Sequence, residues 1–292
     1  MGDELLIENR KSLEQLVEML LLEPEIGVDT EEDSLYSYYY KVCLIQISTR
    51  DRDFLIDTIA LNDLSPLGAV MASQKVEKIF HAAVNDILSM KRDFDFDFVN
   101  IFDTQIAARL IGWEYTSLSF LLEQKFGVIL NKKFQKANWG KRPLPPELIE
   151  YAKMDTHYLI PLKERLERDL KRSRMYNAAR KEFLRLESIQ PGERRFDPHG
   201  YWKIKGVKSL NRKQRRLLEM LYNFREREAR RLDRPPFKVL SNEGMINICK
   251  ALPSSFDELR NLPGIGDWHV RKFGRSLLKM VSLITTDNRS TQ

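Results

Sequence analysis

Asp29 and Glu31 stand two residues apart in "IGVDTEED", directly after the apolar run "LVEMLLLEPE". Alternate residues of a strand share a face, so the two acids project together while Thr30 points away. Burying like charges side by side is costly unless a cation compensates them, and a divalent metal is the most direct remedy. Asp86, in "FHAAVNDILSM", falls where a strand gives way to a helix, and Asp155, in "EYAKMDTHYL", lies within a helix. Tyr151 precedes Asp155 by four residues, so phenol and carboxylate share one helical face.

Phosphodiester hydrolysis uses such parts. Two divalent ions about 3.5–4 Å apart clamp the attacking and leaving oxygens and lower the pKa of a bound water. Mg²⁺ and Mn²⁺ prefer oxygen ligands, and Mg²⁺ keeps much of its water shell, so a few carboxylates plus substrate phosphate suffice. Taken singly, each acid also suits a turn, a helix start or a surface helix.

The elements that must position these residues follow from periodicity. "KSLEQLVEMLL" reads as a helix, and "IGVDTE", "KVCLIQIST" and "DFLIDTI" as three strands in an antiparallel meander. Strand and helix then alternate through "LSPLGAVMA", "KIFHAA", "NDILSMKR", "VNIFD" and "TQIAARLI", which favours a parallel extension of the sheet with helices across it. From "SLSFLLEQKFG" through "PPELIEYAKMDTHYLIPLKERLERDLKR" the pattern is helical, with Pro145 and Pro146 at a helix start. "SIQPGERRFDPHG" reads as a linker, and a second helical unit follows from about Leu210 to Ile284. In "RDFDFDFVN" the alternation predicts a strand entry with phenylalanines inward and aspartates in water.

With 292 residues the chain suits a larger and a smaller domain. No apolar run approaches the roughly 18 residues of a membrane span, and "MGDELLIENR" has no signal-peptide core, so an intracellular protein without membrane partners is expected. Cys43 and Cys249 lie in apolar contexts without zinc or disulfide spacing and read as buried thiols. Residues 191–292 hold 22 Lys and Arg against 11 Asp and Glu, a net of +11, whereas the first 190 carry −5. A basic tail on an acidic body suggests a polyanion partner, nucleic acid being the commonest; a solvated basic face is the alternative.

Taken in order, "VDTE", "FHAAVND", "NIFDTQIAARLIG" and "NWGKRPLPPELIEYAKMDTHYL" closely resemble the catalytic domain of ribonuclease D, of the DEDD exonuclease superfamily. The tail from "YWKIKGVKSL" through "REREARRLDRPPFKVLS" to "LPGIGDWHVRKFG" resembles its HRDC domain. The resemblance implies an α/β ribonuclease H-like mixed-sheet exonuclease domain over 1–190, a linker over 191–208, an all-α HRDC domain over 209–285 and a tail over 286–292. It implies that Asp29, Glu31, Asp86 and Asp155 hold two divalent ions, Mg²⁺ or Mn²⁺, and that Tyr151 marks the tyrosine subtype. With a reference pKa near ~10, that phenol orients the attacking water rather than deprotonating it.

Other residues near these blocks are candidates for substrate contact. They are Thr30, within the first block, His81, and Trp139 and Arg142 in "NWGKRPL". His81 suits a hydrogen bond or a 3′-nucleotide contact better than ligation, since hard metals favour oxygen. For Arg142 a phosphate contact and packing of its loop stay equally open. "YSYYY", Tyr36 to Tyr40, suits either base stacking or strand packing. Lys205, Lys208, Arg212, Lys213, Arg215 and Arg216 cluster ahead of and into the first HRDC helix and are candidates for tracking an RNA backbone. The glycines of "LPGIG", Gly264 and Gly266, offer a second, weaker phosphate-binding turn.

The expected activity is therefore metal-dependent 3′-to-5′ exoribonuclease action releasing nucleoside 5′-monophosphates. By resemblance the substrates are tRNA precursors and other small structured RNAs, trimmed at single-stranded 3′ ends. The alternatives are a 3′-to-5′ DNA exonuclease and a catalytically inactive RNA-binding protein. The exosome exonuclease shares this architecture, but the short chain without long flanking regions favours a bacterial-type enzyme, monomeric and cytoplasmic.

Overall fold

The first elements are a two-residue strand β1 (Leu6–Ile7) and helix α1 (Arg10–Leu20), followed by β2 (Glu25–Glu32), β3 (Val42–Ser48) and β4 (Asp53–Asp57). In this computed structural model, which describes residues 5–130, 132–192 and 195–286, β2, β3 and β4 form the expected antiparallel meander. Then come α2 (Ser65–Met71), β5 (Glu77–Phe80), α3 (Val84–Phe94), β6 (Ile101–Asp103) and α4 (Thr104–Leu110). Parallel pairing of β5 with β2 and of β6 with β5 extends the sheet to the order β1-β4-β3-β2-β5-β6. The helices α5 (Leu118–Phe126), α6 (Pro146–His157), α7 (Leu159–Arg172) and α8 (Tyr176–Ser188) complete this mixed, ribonuclease H-like layer arrangement.

The two faces of the meander differ. Val28, Ile45, Ile47 and Ile56 point into the main core with Leu13, Leu16, Leu67 and Ile87. Leu44 and Leu55 point the other way, into a smaller cluster with Trp139, Leu148 and Ala152, where α6 covers β3 and β4. This period-2 division decides which side chains of β2 meet α6 and which meet α3.

Met1–Asp33 with Lys41–Gly192 form one unit, and Ser34–Tyr40 with Glu193–Gln292 the other. The second is helical: α9 (Arg212–Leu232), α10 (Pro236–Val239), α11 (Asn242–Ala251), α12 (Phe256–Arg260) and α13 (Asp267–Thr286). Asn211 and Gln214 close a reciprocal capping box at the start of α9. Leu217, Leu221, Ile248, Phe273 and Leu277 lie in its core, as does Cys249; Cys43 is equally buried, and both are free thiols.

Three readings need revision, and one strand has no counterpart among them. β1 pairs with β4 in parallel, a two-residue strand too short to leave a periodic signal. "RDFDFDFVN" is not a strand: α3 runs to Phe94 and Asp95 ends it in the left-handed region, at φ 56°. Phe96 and Phe98 are buried there as expected, but Asp93 accepts from the Val42 N–H at 2.8 Å and pairs with Arg92. The segment 191–208 is folded in its latter half, where two 3₁₀ turns, Gly200–Lys203 and Val207–Ser209, bury Tyr201, Ile204 and Val207 in the helical core. Tyr36 to Tyr40 join no strand; they belong to the second unit, where the Asp233 carboxylate accepts from the Ser37 hydroxyl at 2.7 Å and from the Tyr38 and Tyr39 N–H groups.

Candidate active site

One strand and two helices supply the acids. β2 pairs with β5 only as far as Gly27, and the free stretch beyond carries Asp29, Thr30 and Glu31. Asp86 sits in the first turn of α3, a position favoured for an acid by the helix dipole. Asp155 and Tyr151 lie one turn apart on α6. Asp29, Thr30, Glu31, Tyr151 and Asp155 line one cleft of about 410 Å³.

Gly27 makes the approach of α6 possible. It lies two residues before Asp29, on the same face, and a Cβ there would stand 2.9 Å from the carbonyl oxygen of Thr156 and 3.1 Å from the Leu159 Cβ. Beside it the Ser48 and Thr156 hydroxyls meet at 2.6 Å, pinning α6 to β3. Close approach therefore brings the helix carrying Asp155 against the strand carrying Asp29.

Thr30 points away from Asp29 and Glu31, as expected, and there it meets α3. Its hydroxyl donates to Asp86 Oδ1 at 2.5 Å.

The acids behave as a cluster short of positive charge. Burial, reinforced by Asp86, Asp155 and Glu31, holds the Asp29 carboxyl well above the usual range. Burial and then the charges of Asp155 and Asp86 push Glu31 up to about 9. Burial raises Asp155 to about 7 and, against the opposing Thr30 bond, Asp86 to about 6. Among the described residues no Lys or Arg pairs with any of the four, and no three His, Cys, Asp or Glu side chains form a ready-made coordination shell. The fit of a divalent cation rests on the donor chemistry: four hard oxygen donors, gathered and electrostatically uncompensated.

Comparison with known proteins agrees with this arrangement. Residues 6–171 match the family model described as 3′-5′ exonuclease, and residues 214–281 match the HRDC domain. The chain belongs to the 3′-5′ exonuclease family. Exosome complex component 10 of Homo sapiens is 35% identical over 258 residues, covering 83% of this chain and 29% of that protein. The crystal structure of the catalytic core of RRP6 from Trypanosoma brucei is 32% identical, covers 97% of this chain and 79% of that one, and has a TM-score of 0.87. Escherichia coli RNase D, described as an exoribonuclease involved in structured RNA processing, is 27% identical, covering 98% of this chain and 76% of that one, with a TM-score of 0.69. The match is thus to the joint RRP6 and RNase D group, nearer to RRP6 than to this bacterial RNase D. The chain spans about a fifth to two fifths of the length of the curated relatives it matches.

The remaining candidate residues of the exonuclease domain divide by environment. His81 lines the acid cleft, with Nδ1 2.9 Å from the Thr104 hydroxyl, and burial lowers its pKa to about 4, so it is neutral. Trp139 is 1% exposed and offers no surface to a nucleotide; its ring lies 6.1 Å from that of Tyr151, which it backs. Arg142 is likewise turned inward. Its Nε and Nη2 bond the two oxygens of Asp57 at 2.5 and 2.7 Å, and its remaining donors reach the carbonyls of Trp139, Lys141 and Cys43. Loop packing, not phosphate contact, is what the structure assigns to both.

In the HRDC domain Lys205, Lys208, Arg212, Lys213 and Arg216 are exposed around the start of α9. Arg215 differs: its guanidinium lies 5.6 Å over the exposed Trp202 ring. Gly264 takes a positive φ of 83°, and the Gly266 N–H donates to His269 Nδ1 at 3.0 Å, so that amide is already engaged. Gln105, Ser117, Ser119 and Gln135 also line the acid cleft, although neutral polar residues in a loop or at a helix start carry no sequence signal for it.

Proposed function

We propose that this chain is a 3′-to-5′ exoribonuclease releasing nucleoside 5′-monophosphates, with Asp29, Glu31, Asp86 and Asp155 holding two divalent cations, Mg²⁺ or Mn²⁺. The observation that carries the proposal is the gathering of Asp29, Glu31, Asp155 and Tyr151 around one cleft, with Asp86 bonded to Thr30 of the same strand and, among the described residues, no Lys or Arg paired with any of the four acids. When bound, such ions lower the pKa of the attacking water and stabilise the charge on the scissile phosphate.

The protein's own groups have separate tasks. Thr30 fixes the Asp86 carboxylate, and Gly27 lets α6 set Asp155 against β2. Burial, with Asp155, Glu31 and Asp29 around it, pushes the Tyr151 phenol above its ordinary value. The phenol therefore stays protonated at neutral pH and orients the water by a hydrogen bond. Phe134 and Trp139, with ring centroids 5.9 and 6.1 Å away, hold it in place.

RNA is the proposed substrate because relatives of both kinds support it and because the HRDC domain places cations at the start of α9. Arg212, Lys213, Arg215 and Arg216 crowd a helix N-terminus, where the dipole disfavours positive charge, and an anionic backbone offsets that cost. RNAs with single-stranded 3′ ends, tRNA precursors among them, are the class to test. A relative named as an exosome component supports work alongside protein partners rather than the monomer expected from the sequence.

The test is a time course on 5′-labelled single-stranded RNA and the matching DNA, each with Mg²⁺, Mn²⁺ or EDTA. Stepwise shortening of the RNA, abolished by EDTA, is expected. Shortening of the DNA alone would establish the DNA exonuclease instead, and no shortening of either would leave an RNA-binding protein.

A further inference from the structure

Gln46 is fully buried, at 0% exposure, yet neither Oε1 nor Nε2 of its amide has a hydrogen-bond partner. Buried amides are almost always satisfied, and an orphaned one costs stability, so its retention calls for an explanation. Three of the four orphaned polar side-chain atoms found among the described residues, the two of Gln46 and Trp139 Nε1, lie in the layer between β3 and α6.

Its position suggests the explanation. In the antiparallel ladder Gln46 stands directly opposite Asp29, and opposed residues share a face with Cβ atoms about 4.5–5.5 Å apart. On the same face, Leu44 packs in the cluster with Ala152, and the Ser48 hydroxyl meets that of Thr156. Gln46 lies between these two anchor points along β3, and Asp155 lies between Ala152 and Thr156 along α6. The amide is thus buried behind the cleft, between the strand of Asp29 and the helix of Asp155.

We infer that Gln46 is a positioning residue of the acid cluster, its amide sharing a buried water with the Asp29 carboxylate and so fixing that oxygen for a divalent cation. The inference rests on the metal reading proposed above. Partners behind a metal ligand set its orientation, and losing one typically weakens metal binding or activity by 10- to 100-fold.

Gln46→Met removes both polar atoms at nearly constant volume, while Gln46→Asn keeps an amide one methylene shorter. Mn²⁺ binding is measured by titration calorimetry, thermal stability is measured in EDTA, and RNA hydrolysis is followed beside them. Gln46→Met is expected to match or exceed the wild type in metal-free stability while binding Mn²⁺ at least ~10-fold more weakly. Mn²⁺ affinity within twofold of wild type, with lowered stability, would mean a packing residue and overturn the inference. Should Gln46→Met fail to fold, unchanged Mn²⁺ affinity in Gln46→Asn would overturn it equally. Absence of Mn²⁺ binding by the wild type would instead sink the metal reading itself.

Discussion

The hydroxyl of Thr30 donates to Asp86 Oδ1 at 2.5 Å, joining the strand that carries two of the acids to the helix that carries a third. Thr30→Val keeps the shape of the side chain and removes the bond. We expect RNA hydrolysis to fall on the order of 10-fold with a higher metal requirement, and Thr30→Ser to recover most of both. Metal titrations of initial rate check this; equal metal midpoints in Thr30→Val and wild type would show that the bond is idle.

A carboxyl raised in the folded state weakens folding as pH climbs. Between the unfolded pKa of Glu31, near ~4.3, and its folded value of about 9, the folded state binds more protons, so stability falls as pH rises through that window. Glu31→Gln removes this contribution. In EDTA the variant should be more stable than wild type at pH 8, by on the order of 1–2 kcal/mol, with the difference shrinking towards pH 4. Chemical denaturation at both pH values measures it, and a pH-independent difference would contradict the assigned cause.

Gly27→Ala places a Cβ 2.9 Å from the Thr156 carbonyl oxygen, a backbone atom that moves only with α6. Overpacking of this kind costs about 1–3 kcal/mol. Displacing the helix also displaces Asp155, so activity should fall more steeply than stability alone explains. Denaturation midpoints and rates under fully folded conditions separate the two, and wild-type rates there would show that α6 need not approach so closely.

Arg142 and Asp57 form a pair whose carboxylate is wholly buried. Burial alone would raise Asp57, but the Arg142 bonds and the N–H groups of Ala60 and Ile59 hold it below the usual range. Arg142→Ala strands that charge and should cost about 3–5 kcal/mol of stability. A stable variant with only a raised KM for RNA would restore the phosphate-contact reading.

How legible these features were depended on periodicity. The meander, the parallel extension and the helices of the exonuclease domain follow from runs such as "KVCLIQIST" and "NDILSMKR", and the acids are found because they interrupt or end such runs. Residues 138–145 carry no periodic signal. Nothing in "NWGKRPLP" tells an inward Trp139 and Arg142 from outward ones; that depends on Asp57, more than eighty residues away. Gln46 was hidden for the opposite reason, since one amide inside "VCLIQIS" looks like a tolerated polar residue until the register sets it against Asp29. For Thr30 the strand pattern gave its face but not Asp86, the partner waiting there, because the approach of α3 is tertiary.

The most direct test follows the terminal nucleotide of a 3′-labelled single-stranded RNA, with wild type and Asp155→Asn at one fixed Mg²⁺ or Mn²⁺ concentration, RNA binding being measured in parallel. Wild type is expected to release labelled nucleoside 5′-monophosphate, and Asp155→Asn to lose at least ~100-fold in rate while binding RNA nearly as well. Equal release by the two proteins would contradict the assignment of the four acids as the metal-holding centre.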